Sequence, residues 1–420
     1  MGYWPAKFIK RRVSKSSNLW LYPLLLTVLL NAIGYGMIGP VLPDLLVEIS
    51  GNSAIESAGY AGRLFFIYAL FQFLCLPFFG YLSDRIGRRP VILFAVSAIM
   101  LDYIVMATTQ SLTVLYIGRA IAGAFGAASI MSRAYVSDLF KGDDRAKYFG
   151  YIGVCLATGM LMGPALGGAA AEISTRMPFI LSALLSALNL VLALLFLKES
   201  HQPSGHQETF KWQKVNPFGF FKRLFQKNSL RPFLVVYALI ILAYTAYLTV
   251  FSFVTMEKFN WTPLDYGLCL MTYGIAGLIG QAFLIERAVK KLGLDRAIFY
   301  GAITYAIGFF LIGFATHPIW VYLGVPVAAI SGIFSATVIT KISKLVPQNI
   351  QGEIQGILGA ASGLMLMIGP IVMAETFTYS ALSHWPVSQS IKTGAPFILG
   401  GLISLGCLVI VAKNIKPQAA

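Results

Sequence analysis

Two residues of opposite charge, Asp102 and Arg119, stand in the middle of apolar sequence. Each lies about eight positions from a polar turn centred near Gln110-Ser111. On antiparallel helices rising 1.5 Å per residue, both groups fall ~12 Å below the same surface. An acid and a base at equal depth on neighbouring helices can pair. Alone in lipid, each would cost at least ~2.5 kcal/mol. Two chemistries are open to such a pair. It can be a static ion pair that joins two helices, or a protonatable acid held by a movable arginine. Arg133 follows Arg119 by fourteen residues. On one continuous helix that is about 1400°, which sets both arginines on roughly the same side, ~21 Å apart. Arg133 then reads as an inner-surface anchor or as a positive group in a cavity. Little else in the chain reacts. Cys75, Cys155, Cys269 and Cys407 lack metal-ligand spacing, and His201, His206, His317 and His384 fall in loops or at the ends of apolar runs. No phosphate loop, G-x-S-x-G or H-E-x-x-H is present. No metal, no cofactor and no enzymatic constellation is expected.

The elements that must hold these groups are membrane helices. Of 420 residues 57% are hydrophobic and only 12% charged, with mean hydropathy +0.74. Soluble domains carry roughly 25% charged residues. A span takes ~20 apolar residues. Twelve candidates appear, at 19–43, 58–81, 90–109, 112–138, 146–168, 177–198, 232–255, 264–288, 295–315, 318–341, 350–377 and 393–412. The expected fold is an all-α polytopic membrane protein. Residues 1–18 form a basic head, 19–198 a first six-helix bundle, 199–231 a linker, 232–412 a second bundle and 413–420 a tail.

The net charge of +15 is organised by topology. With the N-terminus in the cytoplasm, 26 of the 32 Lys and Arg fall on the cytoplasmic side and three outside (Arg176, Lys258, Lys392), with Arg63, Arg119 and Arg133 inside spans. That bias predicts both termini inside, with anionic lipid as the contact of the basic charge and no role for nucleic acid. Lys7, Lys10, Arg11, Arg12 and Lys15 precede an apolar run that is too long for a cleaved leader, so it reads as the first span. The linker mixes Pro, Gly, His and Gln with basic residues, and Phe218–Phe225 could form a short surface helix.

The most distinctive stretch is Gly80-Tyr-Leu-Ser-Asp84-Arg85-Ile-Gly87-Arg88-Arg89-Pro90. So charged a connection must turn at the membrane surface. Gly80 and Gly87 permit close approach or φ > 0, and Asp84 can accept from an Arg or a helix N-terminus. The fifth span holds Gly159-x-x-x-Gly163-Pro164-x-x-Gly167-Gly168, whose small residues let helices cross tightly. The second half repeats the first at an offset of 206: Gly87 maps to Gly293, Gly126 to Gly332, Gly150 to Gly356, and Gly163-Pro164 to Gly369-Pro370. Its copy of the loop is degenerate, with Glu286 in place of Gly80 and Lys290 in place of Asp84. Glu286, and Gln351, Glu353 and Gln355 opening the eleventh span, are candidates for an inner gate.

The loop from Gly80 to Pro90 resembles the signature between helices 2 and 3 of the major facilitator superfamily, and the span 5 motif resembles that of its drug–proton antiporters. Spans 2 to 6 are similar to the tetracycline efflux proteins nearly position by position, through Tyr68-Ala-Leu-Phe-Gln72, Asp102-Tyr103, Leu115-Tyr-Ile-Gly-Arg119, Gly126, Asp138, Arg145-Ala146 and Phe149-Gly150. The second half is similar around Gln281-Ala-Phe, Gly293, Phe314-Ala-Thr and Gln351 to Gly356. The resemblance implies twelve helices in two pseudo-symmetric bundles, alternating access and proton-driven export of a small molecule. It carries proton coupling to Asp102 and Arg119, a conformational latch to Gly80, Asp84, Arg85, Gly87, Arg88 and Arg89, and the antiporter motif to the span 5 glycines and Pro164. The chain departs from the family where two further intramembrane acids are expected: Asn31 stands at the first and Tyr305 aligns with the second. Neither cycles a proton near neutral pH. With Arg133 added, the interior is poor in acid and rich in base, which predicts a substrate other than tetracycline, with an anion among the candidates. Asn31, Gln72, Arg133, Gln281 and Tyr305 are the candidates for the substrate cavity. A proton-coupled importer of an anionic nutrient or carboxylate siderophore is the alternative, and a non-transporting sensor a weaker one. A monomer in the bacterial inner membrane is expected, with protons and a small molecule as partners.

Overall fold

The computed structural model describes residues 21–201 and 230–414, apart from 127, 141, 331, 348 and 349. The basic head, most of the linker with Phe218–Phe225, and the end of the tail lie outside the described residues. The first half comprises α1 (Leu21–Ser50), α2 (Ala54–Ile86), α3 (Arg88–Thr108), α4 (Leu112–Phe125), α5 (Ala128–Leu139), α6 (Gly142–Ala171) and α7 (Met177–Phe196). The second comprises α8 (Arg231–Thr249), α9 (Phe251–Phe259), α10 (Pro263–Ile279), a π-helical turn Gly280–Leu284, α11 (Ile285–Leu292), α12 (Leu294–Gly313), α13 (Pro318–Ile330), α14 (Gly332–Lys344), α15 (Gln351–Leu382), α16 (Gln389–Thr393) and α17 (Ala395–Asn414). Among the described residues every regular element is helical, and ten helical segments are long and apolar enough to cross a membrane. α4 and α10 are shorter apolar helices at the fourth and eighth expected spans.

Local chemistry sets the starts and breaks. Ser53 and Glu56 form a capping box that opens α2, and Thr262 with Asp265 does the same for α10, where Pro263 takes the first turn. The fourth expected span is not one helix. α4 ends at Gly126, whose carbonyl accepts a hydrogen bond from Gln72 Nε2 at 3.0 Å. The eighth is interrupted by the π-turn, where backbone pairing slips by one residue. The membrane environment shows in α7. Leu184, Leu188, Val191 and Leu195 are exposed on one side, while Ser182, Ser186 and Asn189 are buried on the other. Large apolar groups meet lipid, and small or polar ones meet neighbouring helices.

The internal repeat is visible in the backbone. Gly87 (φ 102°, ψ 162°) and Gly293 (φ 78°, ψ 163°) break their helix pairs in the same conformation, one essentially confined to glycine. A Cβ at Gly87 would also run into the Glu199 carboxylate, whereas nothing lies within 4 Å of one at Gly293. Gly87→Ala is therefore expected to cost about 1–3 kcal/mol of stability, and more than Gly293→Ala. Thermal unfolding of the two variants in detergent checks the order.

Two seams join the halves, α2 with α15 and α6 with α10. At each, a glycine of one half faces a proline carbonyl of the other. The Pro370 carbonyl is 2.9 Å from a Cβ built on Gly62, and a Cβ on Gly267 would fall inside contact with the Pro164 carbonyl. Gly163-Pro164 and Gly369-Pro370 are the offset copies noted above, so the motif and its repeat build equivalent contacts. Across the first seam Thr378 Oγ1 donates to the Ile55 carbonyl at 3.0 Å, and Arg63 lies 3.9 Å from Glu375. Arg63 thus faces the other half as well as the aqueous rim. Both seams loosen toward the end that carries Asp84–Arg89. Gly274 still meets Leu161, but nothing lies within 4 Å of a Cβ on Gly277, Gly153, Gly150, Gly359 or Gly352. The halves are packed at one end and splayed at the other.

Candidate functional site

A cavity of ≈ 770 Å³ occupies the splayed region. Its wall brings together Asn31 from α1, Tyr68 and Gln72 from α2, Asp102 from α3, Arg119 from α4 and Gln355 from α15. Asp102 and Arg119 are each 4% exposed. The Arg119 Nη2 to Asp102 Oδ2 distance is 3.1 Å. The pair expected from equal depth along α3 and α4 is therefore formed. It is also supported. Arg119 reaches the Met106 sulfur, and its guanidinium carbon lies 5.7 Å from the centre of the Tyr68 ring. The other carboxylate oxygen, Oδ1, is buried with no hydrogen-bond partner among the described residues. It points to Gly118, where a Cβ would sit 3.2 Å away. Among the described residues the lining holds no other Asp, Glu, Lys or Arg. A chemical change of one proton at Asp102 therefore changes the charge of the whole cavity by one unit.

The sequence motifs of α2 and α4 meet at a crossing that positions Arg119. A Cβ on Gly123 would overlap the Tyr68 carbonyl, and one on Gly126 would lie 2.8 Å from the Tyr68 hydroxyl. Only helices stripped of side chains can approach so closely. Asn31 accepts a hydrogen bond from Asn189 Nδ2 at 3.2 Å. Asn189 is buried on α7, and its Oδ1 has no partner among the described residues.

A second chamber of ≈ 220 Å³ lies deeper, between α1 and α6 of the first half and α8 and α10 of the second. It shares Tyr35, Ile38 and Met160 with the large cavity, so the two are neighbours. Five tyrosines line it: Tyr35, Tyr244, Tyr247, Tyr266 and Tyr273.

Other expected residues lie elsewhere. Arg133 is exposed on α5 and lines neither cavity. The break at Gly126 ends the single helix on which its facing was reckoned. Tyr305 is 5% exposed in the core of the second half, packed on Phe309 and Phe334 with its hydroxyl 3.4 Å from the Ile240 carbonyl, and it lines neither cavity. Gln281 falls in the π-turn, and its side chain lies outside the described residues. Glu286 pairs with Lys290 one turn along α11, exposed to solvent. Gln351 Nε2 donates to the Ser343 carbonyl at 2.7 Å, at the end of α14, and Glu353 is half-buried in the first turn of α15.

The loop after α2 is centred on Arg88. Its guanidinium contacts Asp84 at 2.6 Å and Asp138, at the end of α5, at 3.0 Å. Glu199 accepts from the backbone N–H of Arg88 at 2.8 Å and of Arg89 at 3.1 Å, capping α3 from beyond α7. Arg89 Nη2 donates to the Leu194 carbonyl at 2.7 Å. Gly80 joins this cluster through its carbonyl, which accepts from Ser83 Oγ at 2.7 Å while that hydroxyl accepts from Arg88 Nη1; Arg85 is exposed, and nothing lies near a Cβ on Gly80. Sequence spacing does not point to Asp138 and Glu199 as partners of this loop. The second half builds its counterpart from Asp295 and Lys341, 2.6 Å apart, rather than from Glu286 and Lys290. There the acid is on the helix after the glycine and the base on the neighbour, the reverse of Arg88 and Asp138.

Comparison with known proteins agrees with this architecture. The family model described as Major Facilitator Superfamily matches residues 24–370 and 233–419. The chain is 35% identical over 403 residues to a tetracycline resistance protein, class C, of Escherichia coli, covering 96% of this chain and 99% of that one. Among solved structures it is similar to the nucleoside transporter NupG, with TM-score 0.76 at 13% identity over 94% of this chain and 100% of that one. It is also similar to the human organic anion transporter MFSD10 (TETRAN), with TM-score 0.66 at 22% identity over 95% and 100%. At those identities the structural likeness concerns the fold.

Proposed function

The chain belongs to the Major Facilitator Superfamily and is an integral membrane transporter, not an enzyme; from that premise we propose that it exports a small molecule in exchange for protons, with Asp102 carrying the proton and Arg119 its switchable partner. One observation carries this reading. Among the described residues the acid–base pair is the sole charge on the wall of the cavity between the halves, and one carboxylate oxygen has no partner. Ionised, Asp102 holds Arg119. A proton on the carboxylate cancels the attraction and leaves the guanidinium as a lone buried charge. That state is costly unless Arg119 moves to water or another acceptor. The halves rocking about the two seams supplies such a movement.

In this reading the splayed end, rich in Lys and Arg, lies on the cytoplasmic side of a bacterial inner membrane beside anionic lipid, as the positive-inside rule favours. The cavity then faces the cytoplasm, which is the loading state of an exporter. Exchange requires that substrate and proton disfavour each other. With Asp102 ionised the charged lining sums to zero, and with Asp102 protonated it is positive. An anion would bind best with the proton already present and would travel with it, which is import. Export in exchange for protons is matched by a molecule that brings no net negative charge to the pair. The relative named for tetracycline resistance supports a drug-like substrate. The loss of acid at Asn31 and Tyr305 weighs against a metal–tetracycline cation.

Uptake into inside-out vesicles under an imposed ΔpH tests the proposal, with labelled tetracycline, neutral ring compounds and carboxylates in one panel. A potential of 100 mV supports roughly fiftyfold accumulation per net charge moved. Accumulation of a neutral compound that collapses with a protonophore is expected. Uptake of a carboxylate only in right-side-out vesicles would overturn export.

A further inference from the structure

The tyrosine chamber has a feature that proton coupling does not need. None of its five tyrosines makes a side-chain hydrogen bond among the described residues. Tyr247 is 4% exposed, and its hydroxyl is sealed from solvent without a partner. Buried polar groups are otherwise paired in nine cases of ten or more. A phenol is neutral up to about pH 10 and offers one O–H donor. The rest of the lining is Gly, Ala, Ile, Leu, Met, Phe and Pro, with no carboxylate, amide or cation.

The rings themselves are held firmly. Tyr247 lies 5.5 Å from Tyr273, 5.2 Å from Phe309 and 5.2 Å from Phe397, centre to centre. Such offset contacts fix an aromatic wall whose faces suit another ring. A dry apolar cavity of roughly 150 Å³ takes a benzene molecule, so ≈ 220 Å³ leaves room for about two fused rings. The chamber draws its wall from both halves and adjoins the large cavity at Tyr35, Ile38 and Met160. A molecule seated in it would touch both halves and extend toward Asp102 and Arg119.

We propose that this chamber is a docking site for a flat two-ring aromatic portion of the transported molecule, bearing a hydrogen-bond acceptor such as a ring carbonyl and no charge. The rings stack on the tyrosine and phenylalanine wall, and the hydroxyls of the half-buried Tyr244 and Tyr273 donate to the acceptor. The inference rests on the transporter reading above but not on its proton step.

The probes are chromone, two fused rings with a carbonyl acceptor, and naphthalene, of the same size without one. Their binding to the full chain in lipid nanodiscs is measured by calorimetry with no gradient present. The triple variant Tyr244→Phe/Tyr247→Phe/Tyr273→Phe keeps every ring and removes three hydroxyls that have no protein partner to lose, so it retains the fold. Chromone is expected to bind it at least tenfold more weakly than wild type, while naphthalene changes less than twofold. Gly277→Phe, which places a ring where the chamber has open space, is expected to abolish binding of both. Unchanged chromone affinity in the triple variant would overturn the proposal, as would binding that survives Gly277→Phe or a wild type that binds neither probe. If chromone binding fails while proton-driven accumulation stands, only this inference falls. If binding holds while accumulation resists a protonophore, only the coupling reading falls.

Discussion

Replacing Asp102 by Asn is expected to reduce proton-driven accumulation from up to ~fiftyfold per charge per 100 mV to equilibration. The substitution preserves shape and leaves an amide oxygen able to accept from Arg119, now 3.1 Å from the carboxylate. It removes the group that can gain and lose a proton, and nothing else on the cavity wall replaces it near neutral pH. Removing one partner of a buried pair costs about 3–5 kcal/mol when the other charge is left bare. The remaining amide contact keeps the loss below that, so inserted protein should persist. The double variant Asp102→Asn/Arg119→Leu should be more stable than Asp102→Asn and equally inactive, because it removes the bare charge along with the acid. Transport under a gradient, with thermal unfolding of the same preparations, checks both statements.

The second large effect concerns the seams. Gly267→Val places a branched side chain against the Pro164 carbonyl, a backbone atom that cannot swing away. Overpacking of this kind costs ~1–3 kcal/mol. It is charged only to the state in which α6 and α10 are closed at that end. The equilibrium between the packed and opened arrangements should shift by roughly tenfold or more toward opening, at 1.4 kcal/mol per factor of ten. Spin labels at Asn52 and His384, in loops of opposite halves at the packed end, report the populations. A rise in the long-distance population is expected, with transport reduced about as much. Unaltered populations would mean that the α6–α10 crossing does not govern opening.

The parts of this site that could be read from the sequence depended on local spacing. Asp102 and Arg119 share one turn, so counting residues sufficed to pair them. Gly87 and Gly293 carried the repeat because a glycine-only backbone leaves few substitutes. Of the two readings of Arg133, the one that put it in the cavity assumed a continuous helix, and α4 instead ends at Gly126, where Tyr68 and Gln72 make tertiary contacts. Tyr305 sits where the second half of the repeat is packed rather than hollow. Asp138 and Glu199 join the Arg88 cluster from distant helices, with no spacing to announce them. Asp295 and Lys341 are not legible from the repeat, which keeps an ion pair at this corner while exchanging its signs. The five tyrosines of the chamber come from three helices, α1, α8 and α10, and only the fold collects their hydroxyls.

The most direct test of the central claim needs no substrate. Infrared difference spectra of the reconstituted transporter, recorded between two pH values that bracket proton uptake, report the carbonyl stretch of a protonated carboxyl group. One such band should appear on acidification in the wild type and be missing from Asp102→Asn. A spectrum of Asp102→Asn with the same band and the same pH dependence would show that the proton is carried elsewhere, and the coupling role assigned to Asp102 and Arg119 would be wrong.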